Sequence, residues 1–176
     1  IHFLVTAGAG PGCRVLDLAC GTGQYTQALL DRGADAWGVD GSADLTTIAR
    51  QRTGRSDRFI VGDMRDAESY PHGLYDLVFC IGNSAAHLAS AEEVTKFFRT
   101  VSEHLRDAES RFVVQYVEME SVGPGEVRQL QELSAGTIRL ERTYRRVDIQ
   151  TVIFDAALRD ESTGDLERVS NRLLAT

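Results

Sequence analysis

Three residues near the start of the chain have the types and the spacing that a nucleotide-binding site needs. Gly21 and Gly23 follow a short apolar run, and Asp40 ends the next apolar run. Glycines let the backbone approach a ligand closely, and a carboxylate about 20 residues further on can accept hydrogen bonds from both hydroxyls of a ribose. The pattern predicts an adenosine-bearing cofactor at the carboxyl ends of a parallel sheet.

The glycine spacing bears on which cofactor this is. A dinucleotide-binding turn carries a third glycine three residues after the second, so that helix and strand pack closely. Here Gly23 is followed by Gln24, Tyr25 and Thr26, and the chain has no Tyr-x-x-x-Lys pair because Lys96 is its only lysine. Both observations argue against an NAD(P)-binding oxidoreductase, which stays open as an alternative.

The same run fits a second pattern, Asp-x-small-x-Gly-x-Gly, at every position. Asp17, Ala19, Gly21 and Gly23 fill it, and Cys20 stands beside Ala19. The run resembles motif I of the class I S-adenosylmethionine (SAM) methyltransferases, with Ala19 and Cys20 in the first glycine slot. The resemblance implies that these five residues contribute to binding SAM, whose product after methyl transfer is S-adenosylhomocysteine.

Two motifs at the ends of later predicted strands extend the resemblance. Asp40 and Gly41 resemble motif II, in which the acid bridges the ribose hydroxyls. Asp63 and Met64 resemble the adenine-side motif of the family. In that motif Asp63 accepts a hydrogen bond from the adenine amino group, and the polarizable thioether of Met64 packs on the ring.

The segment that ends the fourth predicted strand reads Cys-Ile-Gly-Asn-Ser-Ala-Ala-His-Leu. It is similar to a segment of the glycine N-methyltransferase-like branch, which methylates small molecules. The resemblance implies that Ile81 and Gly82 border the methionine part of SAM and that His87 lies at its methionyl end. Asn83 and Ser84 face the substrate, and Ser84 is also counted among the residues that bind the cofactor.

The acceptor is expected to be a small molecule. An enzyme that methylates amino groups of nucleic acids would carry Asp/Asn-Pro-Pro-aromatic after the fourth strand, and a net charge of −7 disfavours a phosphate backbone as partner. Tyr116 and Glu118, at the end of the fifth strand, could contact the substrate, and Glu118 would favour a cationic amine. The glycine enzymes carry an Arg near the position of Val117, so its absence argues against glycine itself.

These residues predict in-line transfer of the methyl group to an amine nitrogen, with Asn83 and His87 as catalytic residues. A neutral amine needs only orientation, whereas a hydroxyl acceptor needs a base, and His87 is the histidine near the site with a suitable pKa. An O-methyltransferase with His87 as base therefore remains an alternative. A non-catalytic partner subunit with the same fold is another.

Apolar strands and amphipathic helices alternate along the first two thirds of the chain, which predicts an α/β fold with a doubly wound, Rossmann-like parallel sheet. The predicted strands are 14–19, 36–40, 58–61, 75–81 and 111–117, and the predicted helices are 24–32, 43–52 and 92–105, with a helical turn at 66–70. Beyond residue 120, a short helix over 126–133 and an antiparallel meander of 137–147, 150–159 and 166–174 are expected.

The chain is expected to divide into a SAM-binding core, 1–120, and an antiparallel extension near the substrate, 121–176. Its first residues read as the tail of a helix and its last run lacks a cap, so we expect further residues at both ends. The chain has no apolar run of the roughly 20 residues that a membrane span needs. Its three scattered cysteines suggest neither disulfides nor a metal site. A cytoplasmic protein is expected, and a homodimer is left open.

Overall fold

The computed structural model describes residues 1–71, 73–88, 90–116 and 122–174. The chain folds as two units. The first consists of Ile1–Ala85 and Ala91–Gln115, and the second of Ala86–Ser90 and Tyr116–Thr176.

The first unit is built on one parallel sheet. Its strands are β1 (Arg14–Leu18), β2 (Asp35–Asp40), β3 (Phe59–Val61), β4 (Leu77–Cys80) and β5 (Arg111–Val114). They lie in the order β3-β2-β1-β4-β5, and every neighbouring pair is parallel. The predicted doubly wound sheet is therefore confirmed. The strand order reverses direction between β1 and β4, and the crevice at such a point is where open α/β sheets bind ligands.

Helices connect the strands at positions close to those predicted. They are α1 (His2–Thr6), α2 (Gln24–Leu30), α3 (Ala43–Thr53) and α4 (Ala91–Ser102), with short 3-10 helices at Ser56–Arg58, Ala67–Ser69 and Ser84–His87. All four residues of β4 are buried, as expected for a strand covered on both faces. Of the helices described, none combines the length and the apolar character that crossing a bilayer requires.

The sequence of helix α3 predicts that Ser42 caps it and that Leu45, Ile48 and Ala49 face inward, and only the cap and Ala49 are confirmed. The Ser42 side chain accepts a hydrogen bond from the Leu45 backbone N–H at 3.3 Å. Leu45 and Ile48, expected to face inward, are exposed, whereas Thr46 and Ala49 are fully buried. Thr46 can be buried because its hydroxyl donates to the Ser42 carbonyl at 2.8 Å, so that no polar group is left unpaired.

The second unit is an antiparallel sheet of its own. Its strands are β6 (Val127–Gln129), β7 (Leu133–Ala135), β8 (Ile138–Arg146), β9 (Thr151–Asp160) and β10 (Leu166–Leu174). They lie in the order β10-β9-β8-β6, and β7 also pairs with β8. The predicted meander is confirmed, but the helix predicted over 126–133 is wrong. An isolated helix of that length is too short to be stable, whereas the long strand β8 supplies β6 and β7 with backbone hydrogen bonds.

Gly23 lies where α2, α3 and β3 pack closely together. Its φ is +73°, and a Cβ placed there would lie 2.6 Å from Phe59 Cε1 and 3.0 Å from Ala49 Cβ. Both neighbours are buried. We expect Gly23→Ala to lower the free energy of unfolding by about 1–3 kcal/mol through overpacking, beyond the cost of a left-handed backbone. Urea denaturation measures this loss.

Gly54→Ala is the matched control, because Gly54 has a φ of +66° but no described atom within 4 Å of the added Cβ. It should show only the backbone cost of about 1–2 kcal/mol. Equal losses in the two variants would contradict the packing argument.

Candidate functional site

The Asp40 carboxylate joins the loop that follows β1 to the loop that follows β2. The Gly21 N–H donates to its Oδ2 at 2.7 Å, and the Ser42 N–H donates to its Oδ1 at 2.8 Å. The side chain is 9% exposed. A carboxylate oxygen can accept two hydrogen bonds, so each oxygen can accept one more. The arrangement presents a fixed pair of acceptors at the carboxyl edge of the sheet.

The turn after β1 has an unusual backbone and lies beside open space. Ala19 has a φ of +60°, a left-handed conformation that is costly for a residue with a Cβ. Gly21 also has a positive φ, and no described atom lies within 4 Å of the place where its Cβ would stand. At Gly41 the nearest such atom is the Gly62 carbonyl oxygen, 3.9 Å away. A ligand can therefore approach the backbone here without meeting side chains.

Asp17 lies beneath this turn rather than on its open side. It is 2% exposed, and its Oδ2 accepts a hydrogen bond from the Thr26 hydroxyl at 2.7 Å. Burial raises the pKa of Asp17 to about 7, against the lowering effect of the Thr26 hydrogen bonds. The pair ties the first turn of α2 to the end of β1. Thr26 stands where a dinucleotide-binding turn has its third glycine. The residue that replaces this glycine is therefore the hydrogen-bond partner of Asp17.

Cys20 and Cys80, at the ends of neighbouring strands of the first unit, are buried. The Cys80 Sγ lies 3.9 Å from the Met64 Sδ. Burial raises the pKa of Cys80 to about 12 and that of Cys20 still further above its usual range. Both thiols are therefore protonated near neutral pH, which excludes them as nucleophiles. Within the described ranges, no three His, Cys, Asp or Glu side chains group as metal ligands would.

The loop after β3 contains an ion-pair network that sequence reasoning missed. The Arg65 Nη2 donates to the Asp63 Oδ2 at 2.6 Å, and its Nε donates to the Oδ1 at 2.9 Å. The Arg65 Nη1 lies 3.5 Å from Glu93 Oε1 on α4. Hydrogen bonds from Arg65 lower the pKa of Asp63, so that the carboxylate stays ionised as a hydrogen-bond acceptor. The sequence feature that could have predicted this ion pair is a basic residue, Arg65, two positions after the acidic Asp63. Arg65 therefore occupies the carboxylate oxygens that the sequence assigned to the adenine amino group.

The loop after β4 contains two consecutive residues with positive φ. Gly82 has a φ of +90° and Asn83 of +68°, and asparagine is among the residues that tolerate this region best. Ile81 precedes them, and Ser84 begins the 3-10 helix that follows. The Gly82 N–H donates to the Gln115 Oε1 at 2.9 Å. No role was predicted for Gln115, which carried no local motif.

The remaining predicted residues belong to the second unit. His87 is exposed and lines a cavity of about 300 Å³ with residues of β9 and β10. In the same cavity wall, Arg172 donates to the Thr151 hydroxyl at 3.0 Å. Tyr116 packs against the apolar core of this unit. Glu118, predicted to contact the substrate, lies outside the described residues.

The comparison with protein families identifies the class of the chain. Residues 15–108, which are more than half of the chain, match the model of a methyltransferase domain. The chain belongs to this family, and the family resemblance drawn from its motifs is confirmed.

Three known proteins show how far the similarity extends. The glycine/sarcosine N-methyltransferase of Aphanothece halophytica is 37% identical over 86 residues, which are 47% of this chain and 32% of that protein. The magnesium-protoporphyrin O-methyltransferase of Rhodobacter capsulatus is 49% identical over 59 residues, 31% of this chain and 26% of that protein. The sugar N-methyltransferase KedS8 of a Streptoalloteichus species shares the fold, with a TM-score of 0.75 and 21% identity over 99% of this chain and 70% of that one. The chain spans about a third of the length of the first of these relatives.

The buried Asp17 predicts a specific dependence of stability on pH. Its pKa is about 7 in the folded chain, against 3.8 for an ordinary aspartate, so the folded state binds more protons between these values. The contribution of Asp17 to stability is therefore complete below about pH 4 and is lost as pH rises through 7. Asp17→Asn can still accept the Thr26 hydrogen bond but cannot titrate. The difference in unfolding free energy, variant minus wild type, should become more positive between pH 5 and pH 8 in urea titrations. Parallel curves for the two proteins would contradict the assignment.

Proposed function

We propose that this chain is the catalytic domain of a SAM-dependent methyltransferase that acts on a small molecule and transfers the methyl group to an amine nitrogen. The observation that carries the proposal is the Asp40 carboxylate. It is fixed by the Gly21 and Ser42 N–H groups beside a backbone turn that is open to a ligand. Membership in the methyltransferase domain family supports the same cofactor.

The residues present fit the adenosine part of SAM. Two free acceptor positions on Asp40 match the two hydroxyls of a ribose. Met64, in the loop after β3, offers a thioether that suits an aromatic ring. Asp63 in the same loop would accept from the adenine amino group in exchange for a hydrogen bond with Arg65. Because Gly21 has no side chain and open space lies beside it, a ligand can approach its backbone closely.

SAM brings its own electrophile, a methyl group on a positively charged sulfur. The protein has to hold an acceptor in line behind that methyl group and to keep water away, and such orientation can contribute up to roughly 7–11 kcal/mol to a rate enhancement. Asn83 is the candidate for orienting the acceptor, since its amide both donates and accepts hydrogen bonds. Its positive φ fixes the direction in which the side chain leaves the backbone.

Two kinds of relative bear on the atom that is methylated. The glycine/sarcosine enzyme and the sugar enzyme are both N-methyltransferases by name, which favours an amine. The magnesium-protoporphyrin enzyme is an O-methyltransferase, which keeps a hydroxyl or carboxyl acceptor as the second candidate. A net charge of −7 supports a small molecule over a nucleic acid in either case.

A screen of amines, amino sugars and phenols, read out as S-adenosylhomocysteine release, tests the proposed activity. We expect turnover with at least one amine and none with the phenols. Turnover confined to phenols would replace the amine by a hydroxyl acceptor. Release of no S-adenosylhomocysteine, with the cofactor bound, would favour a non-catalytic partner subunit.

Asn83→Gly separates orientation from cofactor binding. Glycine adopts the φ of +68° without strain, so that this variant removes the side chain without adding backbone strain. We expect kcat to fall by about 10- to 100-fold and the affinity for S-adenosylhomocysteine to stay within twofold, because lost orientation acts on the transition state. An equal loss in both quantities would assign Asn83 to cofactor binding instead.

His87→Gln, measured beside it, distinguishes the acceptors. With an amine substrate the variant should keep most of its activity and a shallow pH profile. A loss of about 100-fold or more would indicate a hydroxyl substrate and His87 as its base.

A further inference from the structure

Gln115 is an exposed residue directly after β5, and both its backbone and its side chain bond to the neighbouring strand and loop. Its N–H donates to the Cys80 carbonyl at 3.0 Å, which extends the β4–β5 ladder by one residue. Its Oε1 accepts a hydrogen bond from the Gly82 N–H at 2.9 Å. The Gln115 side chain therefore reaches from the end of β5 to the loop that follows β4.

The hydrogen bond acts on a loop that needs support. Gly82 and Asn83 have successive positive φ values, and this backbone conformation is costly for Asn83, which has a Cβ. Because the Gly82 N–H is a donor, the amide oxygen of Gln115 must face it, and the amide nitrogen keeps its two donors for other groups. One side-chain bond thus fixes both the loop and the rotamer of Gln115.

We propose that Gln115 is a positioning residue that holds the Gly82–Asn83 turn in its cofactor-binding conformation. The inference rests on the proposed function and on the sequence resemblance, which implies that Ile81 and Gly82 border the methionine part of SAM. An unsupported turn would sample other conformations, and the cofactor would have to order it on binding. The energetic cost would then appear in ligand affinity rather than in the stability of the free fold.

The test compares Gln115→Met, which is close in shape but lacks a strong acceptor, with Gln115→Glu, whose carboxylate accepts the same N–H. The matched control is Gln129→Met, at an exposed glutamine of β6. Calorimetric titration with S-adenosylhomocysteine should show about three- to tenfold weaker binding for Gln115→Met, which is the range that one net hydrogen bond supports. Gln115→Glu and Gln129→Met should bind within twofold of wild type. Thermal unfolding without ligand should give the same midpoint for all three variants within about 2 °C.

Three results would overturn the inference. These are unchanged affinity in Gln115→Met, a loss in Gln115→Glu as large as in Gln115→Met, and a fall in the unliganded unfolding midpoint that accounts for the whole effect. If wild type itself does not bind S-adenosylhomocysteine, the proposed cofactor is wrong, whatever the role of Gln115. The two failures are therefore distinguishable.

Discussion

The candidate site depends on one carboxylate, that of Asp40, and on the two backbone N–H groups that hold it. These hydrogen bonds connect two loops that the sheet brings to the same edge, since β1 and β2 are parallel and adjacent. A charged acceptor in such bonds contributes about 1.5–3 kcal/mol for each. They hold the acceptor in place before any ligand arrives, so that little ordering remains to be done on binding.

The other parts of the first unit support the same edge in different ways. The Asp17–Thr26 pair fixes the start of α2 from below, and Arg65 connects the loop after β3 to α4. Ala19 and Asn83 keep costly left-handed conformations at the ends of β1 and β4. Non-glycine residues in this region are found where surrounding structure over-determines them, often at functional sites. Their position beside the predicted ligand agrees with that tendency.

The sequence predicted the parallel sheet well because its strands are apolar runs separated by clear turns and caps. It also predicted that the loops after these strands lie at one edge of the sheet, since the carboxyl ends of neighbouring parallel strands share an edge. It failed where a local pattern competes with tertiary contacts. Thr46 is buried in place of Leu45 because a helix can satisfy a threonine hydroxyl. The segment 126–133 is extended because β8 supplies its hydrogen bonds. Thr26, Arg65 and Gln115 lie outside the recognised motifs, so no sequence pattern assigned them a partner.

Calorimetric titration with S-adenosylhomocysteine and with NAD tests the central claim, that Asp40 and the turn beside it bind the adenosine of SAM. The proteins are wild type, Asp40→Ala and the control Asp44→Ala, which removes an exposed carboxylate from the first turn of α3. We expect wild type and Asp44→Ala to bind S-adenosylhomocysteine alike and Asp40→Ala, still folded, to bind it at least tenfold more weakly. NAD should not bind. Binding of NAD in preference to S-adenosylhomocysteine, or unchanged affinity in Asp40→Ala, would contradict the claim.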